Sequence, residues 1–165
     1  MELIEKLLED HKRIKKLIKD GKKKDLEFSY KKSIFKDLAL AVTAHAKSEE
    51  KVVYIPAKQI EEIKHFAFEG AEEHNLVDQL IQEDIHGAIN RDEWEAKFKV
   101  ICDMLDHHLT EEEKQFFPKL KKAYSTEERK AKGHEYEELF QHIIKYPKEK
   151  NLSLDQINNP LHVHH

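Results

Sequence analysis

Two segments of the chain repeat one arrangement of histidine and glutamate. HAKSEE begins at His45 and HLTEEE begins at His108, and each segment has a glutamate four residues after its histidine, at Glu49 and Glu112. Residues four apart lie on one face of an α-helix, so each pair can direct an imidazole nitrogen and a carboxylate oxygen to one place. Both groups are common ligands of divalent transition metals. The repeated spacing therefore predicts a metal site.

The two pairs belong to a longer internal repeat. The shift in numbering that maps His11 onto His74 also maps His45 onto His108 and Glu49 onto Glu112, and we call it the repeat shift. The surrounding sequences agree, since LLEDHKRIKKLI corresponds to GAEEHNLVDQLI. Two similar helical hairpins, packed about a pseudo-twofold axis, would bring these six side chains together.

All six residues lie on the apolar faces of their predicted helices. His11, for example, continues the helical series of Leu7 and Ile14, and the other five lie on similar series. Burying an unpaired carboxylate costs on the order of several kcal/mol, and here two would be buried among four imidazoles. Divalent metal ions resolve this conflict, because imidazole nitrogens ligate them and each carboxylate can bridge two of them.

A purely structural explanation applies to each part of this set taken alone. A single inward histidine is more often a hydrogen-bonded core residue than a ligand, and a single His-x-x-x-Glu pair on a helix is usually a surface ion pair. The recurrence of four histidines and two glutamates under one shift, each on an apolar face, favours the metal site.

Apolar residues at helical spacing predict four helices joined by short connections. The first helix extends from about residue 2 to 19, and the second ends near Pro56. The third covers roughly residues 58 to 89, and the fourth begins after a cap at Asn90. Gly21 suits a left-handed turn at the end of the first helix. We therefore expect an all-α, up-down-up-down four-helix bundle in residues 1–123.

A further helix is predicted after the bundle. Ser125 and Glu128 have the spacing of a capping box, and Pro147 would end the helix. We expect residues 124–165 to form this C-terminal helix and a tail, packed on the bundle or trailing it. Three histidines of the tail are expected to be surface residues: His162, His164 and His165.

The remaining histidines are predicted at the surface or in packing, namely His65, His86, His134 and His142. The pairs Glu62-x-x-His65 and Glu83-x-x-His86 have the spacing of other di-iron bundles, but they share one helix. They therefore cannot face one centre from opposite sides. Cys102 lies beside Ile101 and is expected to pack rather than to ligate.

Composition and charge limit the function classes. The net charge is −4 with both signs interspersed, which argues against a nucleic-acid partner. No apolar run approaches the roughly 20 residues of a membrane span, and the charged start MELIEKLLEDHK does not resemble a signal peptide. The single cysteine fits a reducing cytoplasm. We expect a cytoplasmic monomer or weak homo-oligomer without a membrane partner.

The motifs resemble those of the hemerythrin-like HHE cation-binding domains, over roughly residues 3 to 122. HLTEEEKQFFP matches the family's His-x-x-x-Glu-Glu, apolar, Phe-Pro pattern most closely. The resemblance implies a non-haem di-iron centre within the bundle. It implies that His11 and His45 serve one iron, that His74 and His108 serve the other, and that Glu49 and Glu112 bridge the two ions.

Two departures from the family pattern leave alternatives open. Oxygen-carrying hemerythrins have a second histidine one turn after the third-helix ligand, and this chain has Asp78 there. Asp78 would then bind the metal, accept a hydrogen bond from one of the ligands, or leave a coordination position to water. The spacing to Pro118 makes His107 with Glu111 a rival pair, because it equals the spacing from His45 to Pro56. The apolar face favours His108, since adjacent helical residues point about 100° apart.

These observations predict a cytoplasmic di-iron protein that binds dioxygen or another small diatomic ligand such as nitric oxide. The alternatives are an enzyme that reduces oxygen, peroxide or nitric oxide at the same centre, and an iron sensing or storage protein. Zinc and manganese remain open as alternatives to iron, because they accept the same ligands.

Overall fold

The chain is described by a computed structural model that covers residues 1–86 and 90–146. Its long helices are α1 (Leu3–Gly21), α2 (Phe28–Glu49), α3 (Lys64–His86), α4 (Arg91–Glu111) and α5 (Thr126–Lys145). Over these described ranges there is no strand, which confirms the predicted all-helical class. The up-down-up-down order of the four bundle helices stays a prediction. The tail with its three histidines, the end at Pro147 and the side chain of His86 lie outside the described residues.

Helix packing divides the interior into two apolar clusters. α1 packs against α2, α3 packs against α4, and α5 packs along both α1 and α2. One cluster contains Leu3, Leu7, Tyr54 and Phe116, whereas the other contains Ile14 and a group of residues further along the helices. The predicted metal ligands lie between the two, as His11 does between Leu7 and Ile14. The candidate site is therefore at the middle of the helices.

α2 and α4 both widen into a π-helical turn near the site. After α2 come the π segment Glu50–Tyr54 and a short helical turn, Ile55–Ala57, whereas α4 is followed by Glu112–Phe116 and Phe117–Ala123. The N–H of Ile55 donates to the carbonyl of Glu50, and that of Phe117 donates to the carbonyl of Glu112, each five residues back. Such turns are rare and occur mostly near functional sites.

The prolines explain where these π turns end. Pro56 and Pro118 come directly after the two residues that close the π turns, and a proline has no N–H with which to continue the π-type hydrogen bonds. The first π segment begins one residue after Glu49, whereas the second begins at Glu112 itself. The shift from Pro56 to Pro118 is therefore one residue shorter than the repeat shift, which relates the two glutamates.

The left-handed turn predicted at Gly21 and the predicted start of the third helix were wrong. Gly21 is the last residue of α1, and no described glycine has a positive φ. A residue without a side chain is needed at this position, because a Cβ there would lie 2.6 Å from the ring of Phe98. α3 begins at Lys64, because residues 58–63 form turns with i→i+3 hydrogen bonds such as that from the N–H of Ile63 to the carbonyl of Ile60.

The predicted helix starts at Asn90 and Ser125 are confirmed. The side chain of Asn90 accepts from the N–H of Glu93. Ser125 and Glu128 form a reciprocal capping box, which satisfies two backbone donors at the start of α5. None of the described helices is long and apolar enough to cross a bilayer.

Candidate metal centre

All six predicted ligands are buried in the middle of the helices. Their exposed fractions are 0 % for His11, 2 % for His45, 0 % for Glu49, 6 % for His74, 3 % for His108 and 5 % for Glu112. Helical spacing explains this burial, because each residue follows the apolar face of its helix. Charged side chains so deep in a protein need partners of opposite charge or a metal ion.

Each glutamate lies between one histidine of the first hairpin and one of the second. Oε1 of Glu49 is 3.5 Å from Nε2 of His45 and 3.3 Å from Nε2 of His74. Oε1 of Glu112 is 3.3 Å from Nε2 of His11 and 3.3 Å from Nε2 of His108. This is the pseudo-symmetric arrangement that the repeat shift predicts.

The side chains form two overlapping groups of candidate ligands. One group is His11, His45, Glu49 and Glu112, and the other is Glu49, His74 and His108, with ligand atoms within 4.8 Å of one another in each group. Because Glu49 belongs to both groups, its carboxylate is placed to join two metal positions.

Several of these buried atoms have no hydrogen-bond partner within the described ranges. They include both carboxylate oxygens of Glu49, Oε1 of Glu112, and Nε2 of His11 and of His45. Leaving a buried polar atom without a partner costs on the order of 1–3 kcal/mol, and more where the group is charged. A bound cation would satisfy all of them, so the residues fit a metal centre.

Carboxylates outside the ligand set orient two of the histidines. Nδ1 of His45 is 3.3 Å from Oδ2 of Asp10, and Nδ1 of His108 is 2.8 Å from Oε1 of Glu73. Such contacts fix the ring and its tautomer and leave Nε2 free for a metal. The repeat shift also relates Asp10 to Glu73, which directly precede His11 and His74. Sequence reasoning missed both, although the shared EDH and EEH patterns carry the signal.

The fifth helix also reaches the centre. The hydroxyl oxygen of Tyr136 lies 2.7 Å from Nδ1 of His45, and the hydroxyl donates to Oδ2 of Asp10 at 2.6 Å. α5 therefore contributes to the polar surroundings of the site as well as to the apolar core.

Tyr54 makes the two halves of the centre unequal. Its hydroxyl donates to Oε2 of Glu112 at 2.5 Å and lies 3.3 Å from Nε2 of His108. The repeat shift relates Tyr54 to Phe117. Tyr54 packs on His74 and Phe117 packs on His11, with ring centroids 5.0 Å and 5.1 Å apart. Of these two related rings, only that of Tyr54 therefore carries a hydroxyl, and sequence reasoning did not single out Tyr54.

In the metal-free centre, each of the two glutamates pairs electrostatically with the histidine four residues before it. Burial acts to lower the pKa of His45, but the charge of Glu49 and the hydrogen bond to Asp10 outweigh burial and raise this pKa to about 10. His108 behaves alike: despite burial, the charge of Glu112 raises its pKa well above the usual value. Burial acts to raise the pKa of Glu112, yet His108 holds it well below its ordinary range. Each carboxylate thus faces a protonated histidine at neutral pH.

Metal binding is expected to release about two protons per chain at pH 7, because a metal ion must displace the protons of His45 and His108. The folded metal-free chain holds these protons more tightly than the unfolded chain. Their contribution to its stability is therefore complete below the unfolded pKa of about 6.5 and is lost as the pH rises through about 10 for His45. Metal affinity should rise over the same interval.

A pH-indicator dye in weakly buffered solution would measure this proton release during anaerobic addition of Zn²⁺. Addition of Mg²⁺, which favours oxygen ligands, is the control and should release almost none. Binding of Zn²⁺ without any proton release would show that these histidines are neutral in the metal-free chain.

The rival pair of the fourth helix lies at the surface. The side chain of His107 is 72 % exposed, compared with 4 % for His108, and it contacts Glu111 at 3.2 Å. Asp78 is half-buried and lines a cavity beside His74, but it belongs to neither group of candidate ligands. His65, His134 and His142 are exposed, and Cys102 is buried in the apolar core.

An apolar cavity lies against the centre. Three of the candidate ligands, His45, His74 and His108, form part of its wall. The rest of the wall is mainly aliphatic and includes Ile14, Val42, Val77, Ile81, Leu105 and Leu109. None of Phe35, Phe98, Met104 and Phe116 lines this cavity. Phe35 and Phe98 instead pack on Trp94.

The fold and the site together define a class: an all-helical protein with a buried cluster of histidine and glutamate that binds cations. Residues 2–120 match the family described as the hemerythrin HHE cation-binding domain. The chain belongs to this family, and the resemblance found in its sequence motifs is confirmed. Comparison with curated proteins and with solved structures gave no significant match.

Proposed function

We propose that this protein holds two iron ions in its His/Glu cluster and there binds dioxygen or another small diatomic ligand such as nitric oxide. The observation that carries the proposal is the position of Glu49 and Glu112, each of which lies within 3.5 Å of one histidine from each hairpin. In this proposal His11 and His45 hold one ion, and His74 and His108 hold the other. The four helices would run alternately up and down around them.

The donor set and the adjoining cavity support a small ligand. Each ion would have two imidazoles and shared carboxylates, a set small enough to leave a coordination position open. When bound, a pair of iron ions supplies the electrons that a diatomic ligand takes up reversibly. The mainly aliphatic cavity against His45, His74 and His108 provides space for a small ligand beside the centre.

The protein's own residues would control the protons at this centre. Asp10 and Glu73 keep Nδ1 of His45 and of His108 engaged, so that only Nε2 faces the centre. Burial and the charges of Glu112 and Glu49 raise the pKa of Tyr54 well above its usual value, so its hydroxyl keeps its proton at neutral pH.

Metal analysis and absorption spectroscopy test this function. Protein loaded anaerobically with Fe²⁺ should contain about two ions per chain and should develop a visible band on exposure to oxygen that persists and reverses when oxygen is removed. The binding function would be rejected if iron were not retained, or if exposure to oxygen caused no spectral change.

A second candidate is an enzyme that reduces oxygen, peroxide or nitric oxide at the same centre. The hydroxyl of Tyr54 favours this candidate, because it places a proton donor 2.5 Å from Glu112 and 3.4 Å from His74 within the buried centre. Reduction of these ligands consumes protons, whereas reversible binding is favoured when protons are withheld. Rapid bleaching of the visible band to the ferric form would indicate turnover.

Replacing Tyr54 with phenylalanine should distinguish the two candidates. If the hydroxyl supplies protons, bleaching of the oxygen-dependent band in Tyr54→Phe should slow by about 100-fold, the usual size of a general-acid contribution. Stopped-flow absorption gives the rate. Tyr124→Phe is the matched control, because it also removes a buried tyrosine hydroxyl, one that has no hydrogen-bond partner among the described residues. An unchanged rate in Tyr54→Phe would leave the hydroxyl without a role in turnover.

A further inference from the structure

A second group of metal-ligating side chains lies on the outer surface beside the buried centre. Glu73, His107 and Glu111 each offer a ligand atom within 4.8 Å of the others. Their side chains are exposed by 26 %, 72 % and 24 %, so all three are accessible to a hydrated ion. The group contains the His107–Glu111 pair, which the buried centre does not use.

Glu73 connects this outer group to the buried centre. Its Oε1 lies 2.8 Å from Nδ1 of His108, whose Nε2 faces Glu112. A carboxylate has two oxygens, so one can hold His108 while the other takes part in the outer group. The outer group and a buried candidate ligand are therefore only one side chain apart.

A surface cleft follows the same path. Glu73 and Glu111 line it together with His108 and Glu112. Glu112 is only 5 % exposed, and its Oε1 has no hydrogen-bond partner in the part of the chain that the structure describes. Glu112 therefore belongs both to the wall of the cleft and to the buried centre, where its Oε1 lies 3.3 Å from Nε2 of His11, and its negative charge attracts a cation from the cleft toward the interior.

A simple surface ion pair would not have these connections. His134 and Glu138 on α5 form such a pair with the same four-residue spacing, a contact of 3.1 Å and side-chain exposures of 77 % and 71 %. That pair belongs to none of the candidate metal groups of the described residues. His107 and Glu111 differ because a third ligand and a cleft to the centre accompany them.

We propose that Glu73, His107 and Glu111 form an exposed capture site for a divalent first-row transition cation, and that the ion passes from it along the cleft to the buried centre. The inference rests on the proposed metal binding of that centre. One imidazole and two carboxylates suit such cations, and the remaining coordination positions keep their water. A weak exposed site of this kind raises the local concentration of the cation, as charged clefts do for other ions.

Loading kinetics test the capture site. Metal-free protein is mixed anaerobically with Co²⁺, and the growth of the cobalt absorption bands of the buried centre is followed in wild type, His107→Ala and Glu111→Gln. We expect both variants to load about tenfold more slowly than wild type and to reach the same final absorbance. His134→Ala and Glu138→Gln are the matched controls and should load at the wild-type rate.

The outcomes separate this inference from the function on which it rests. Wild-type loading rates in His107→Ala and Glu111→Gln would overturn the capture site while leaving the buried centre intact. A lower final cobalt content in these variants would also overturn it, because the residues would then belong to the centre itself. If wild-type protein showed no cobalt bands at all, the proposed metal centre would be rejected, and the capture site that rests on it would be rejected with it.

Discussion

Replacing His108 with alanine is expected to remove most of the metal from the buried centre. The variant loses an Nε2 donor that lies 3.3 Å from Oε1 of Glu112. It also leaves Glu73 without the hydrogen bond that now holds it at 2.8 Å. Loss of an outer partner alone usually costs 10–100-fold in metal affinity, so loss of a ligand should cost at least about 100-fold. Metal analysis after gel filtration would measure it.

His107→Ala is the matched control, because it makes the same change one residue earlier on the same helix. Its side chain is 72 % exposed and points away from Glu112, so the equilibrium metal content should equal that of wild type. If His107→Ala lost its metal while His108→Ala kept it, the repeat shift would be wrong in the fourth helix. The shorter shift set by the two prolines would then identify Glu111 as the bridging carboxylate.

Removal of the metal is expected to lower the melting temperature substantially. A ligand at 1,000 times its dissociation constant stabilises the folded state by about 4 kcal/mol, which corresponds to about 10 °C for a chain of this size. The metal-free chain should still fold near neutral pH, because protonated His45 and His108 then face the two buried glutamates. Differential scanning calorimetry of chelated and reloaded protein would measure the difference.

Mg²⁺ provides the control for this second prediction, since it favours six oxygen ligands and binds imidazole poorly. It should restore little of the lost stability, whereas Fe²⁺ or Zn²⁺ should restore nearly all of it. Equal melting temperatures for chelated and metal-loaded protein would mean that the cluster holds no metal in the folded state.

Most of the candidate site could be predicted from sequence because each ligand is a property of its own helix. Burial of His11 or His45 follows from the spacing of apolar neighbours along one segment, and the repeat shows which segments correspond. The all-helical class follows from the same spacing.

The surroundings of the ligands could not be predicted so easily, because they depend on how separate helices approach one another. Tyr54 lies at the end of the π turn after α2, and its hydroxyl contacts Glu112, which follows the fourth helix. Tyr136 reaches His45 from a distant part of the sequence, on another helix. Asp10 and Glu73 could have been predicted from the sequence, because the internal repeat relates them to each other. A search for acidic residues that directly precede the repeated histidines would have found both.

The early start predicted for α3 and the left-handed turn predicted at Gly21 failed for a related reason. Local preference favoured a helix directly after Pro56 and a turn at glycine. Packing overrode both preferences: Ile63 is buried within a turn, and Gly21 makes room for the ring of Phe98. The spacing of apolar residues within one segment cannot predict tertiary contacts of this kind.

The contact between Tyr136 and the Asp10–His45 pair has a genetic consequence. The family match ends at residue 120, yet a hydroxyl that positions one of the candidate ligands lies beyond it, on α5. A nonsense or frameshift allele that ends translation after Ala123 would keep all six candidate ligands but lose this hydroxyl together with the packing of α5 on α1 and α2. In a screen, such an allele is expected to group with missense alleles of His45 rather than with alleles of the distant surface, even though it alters none of the family's own motif residues.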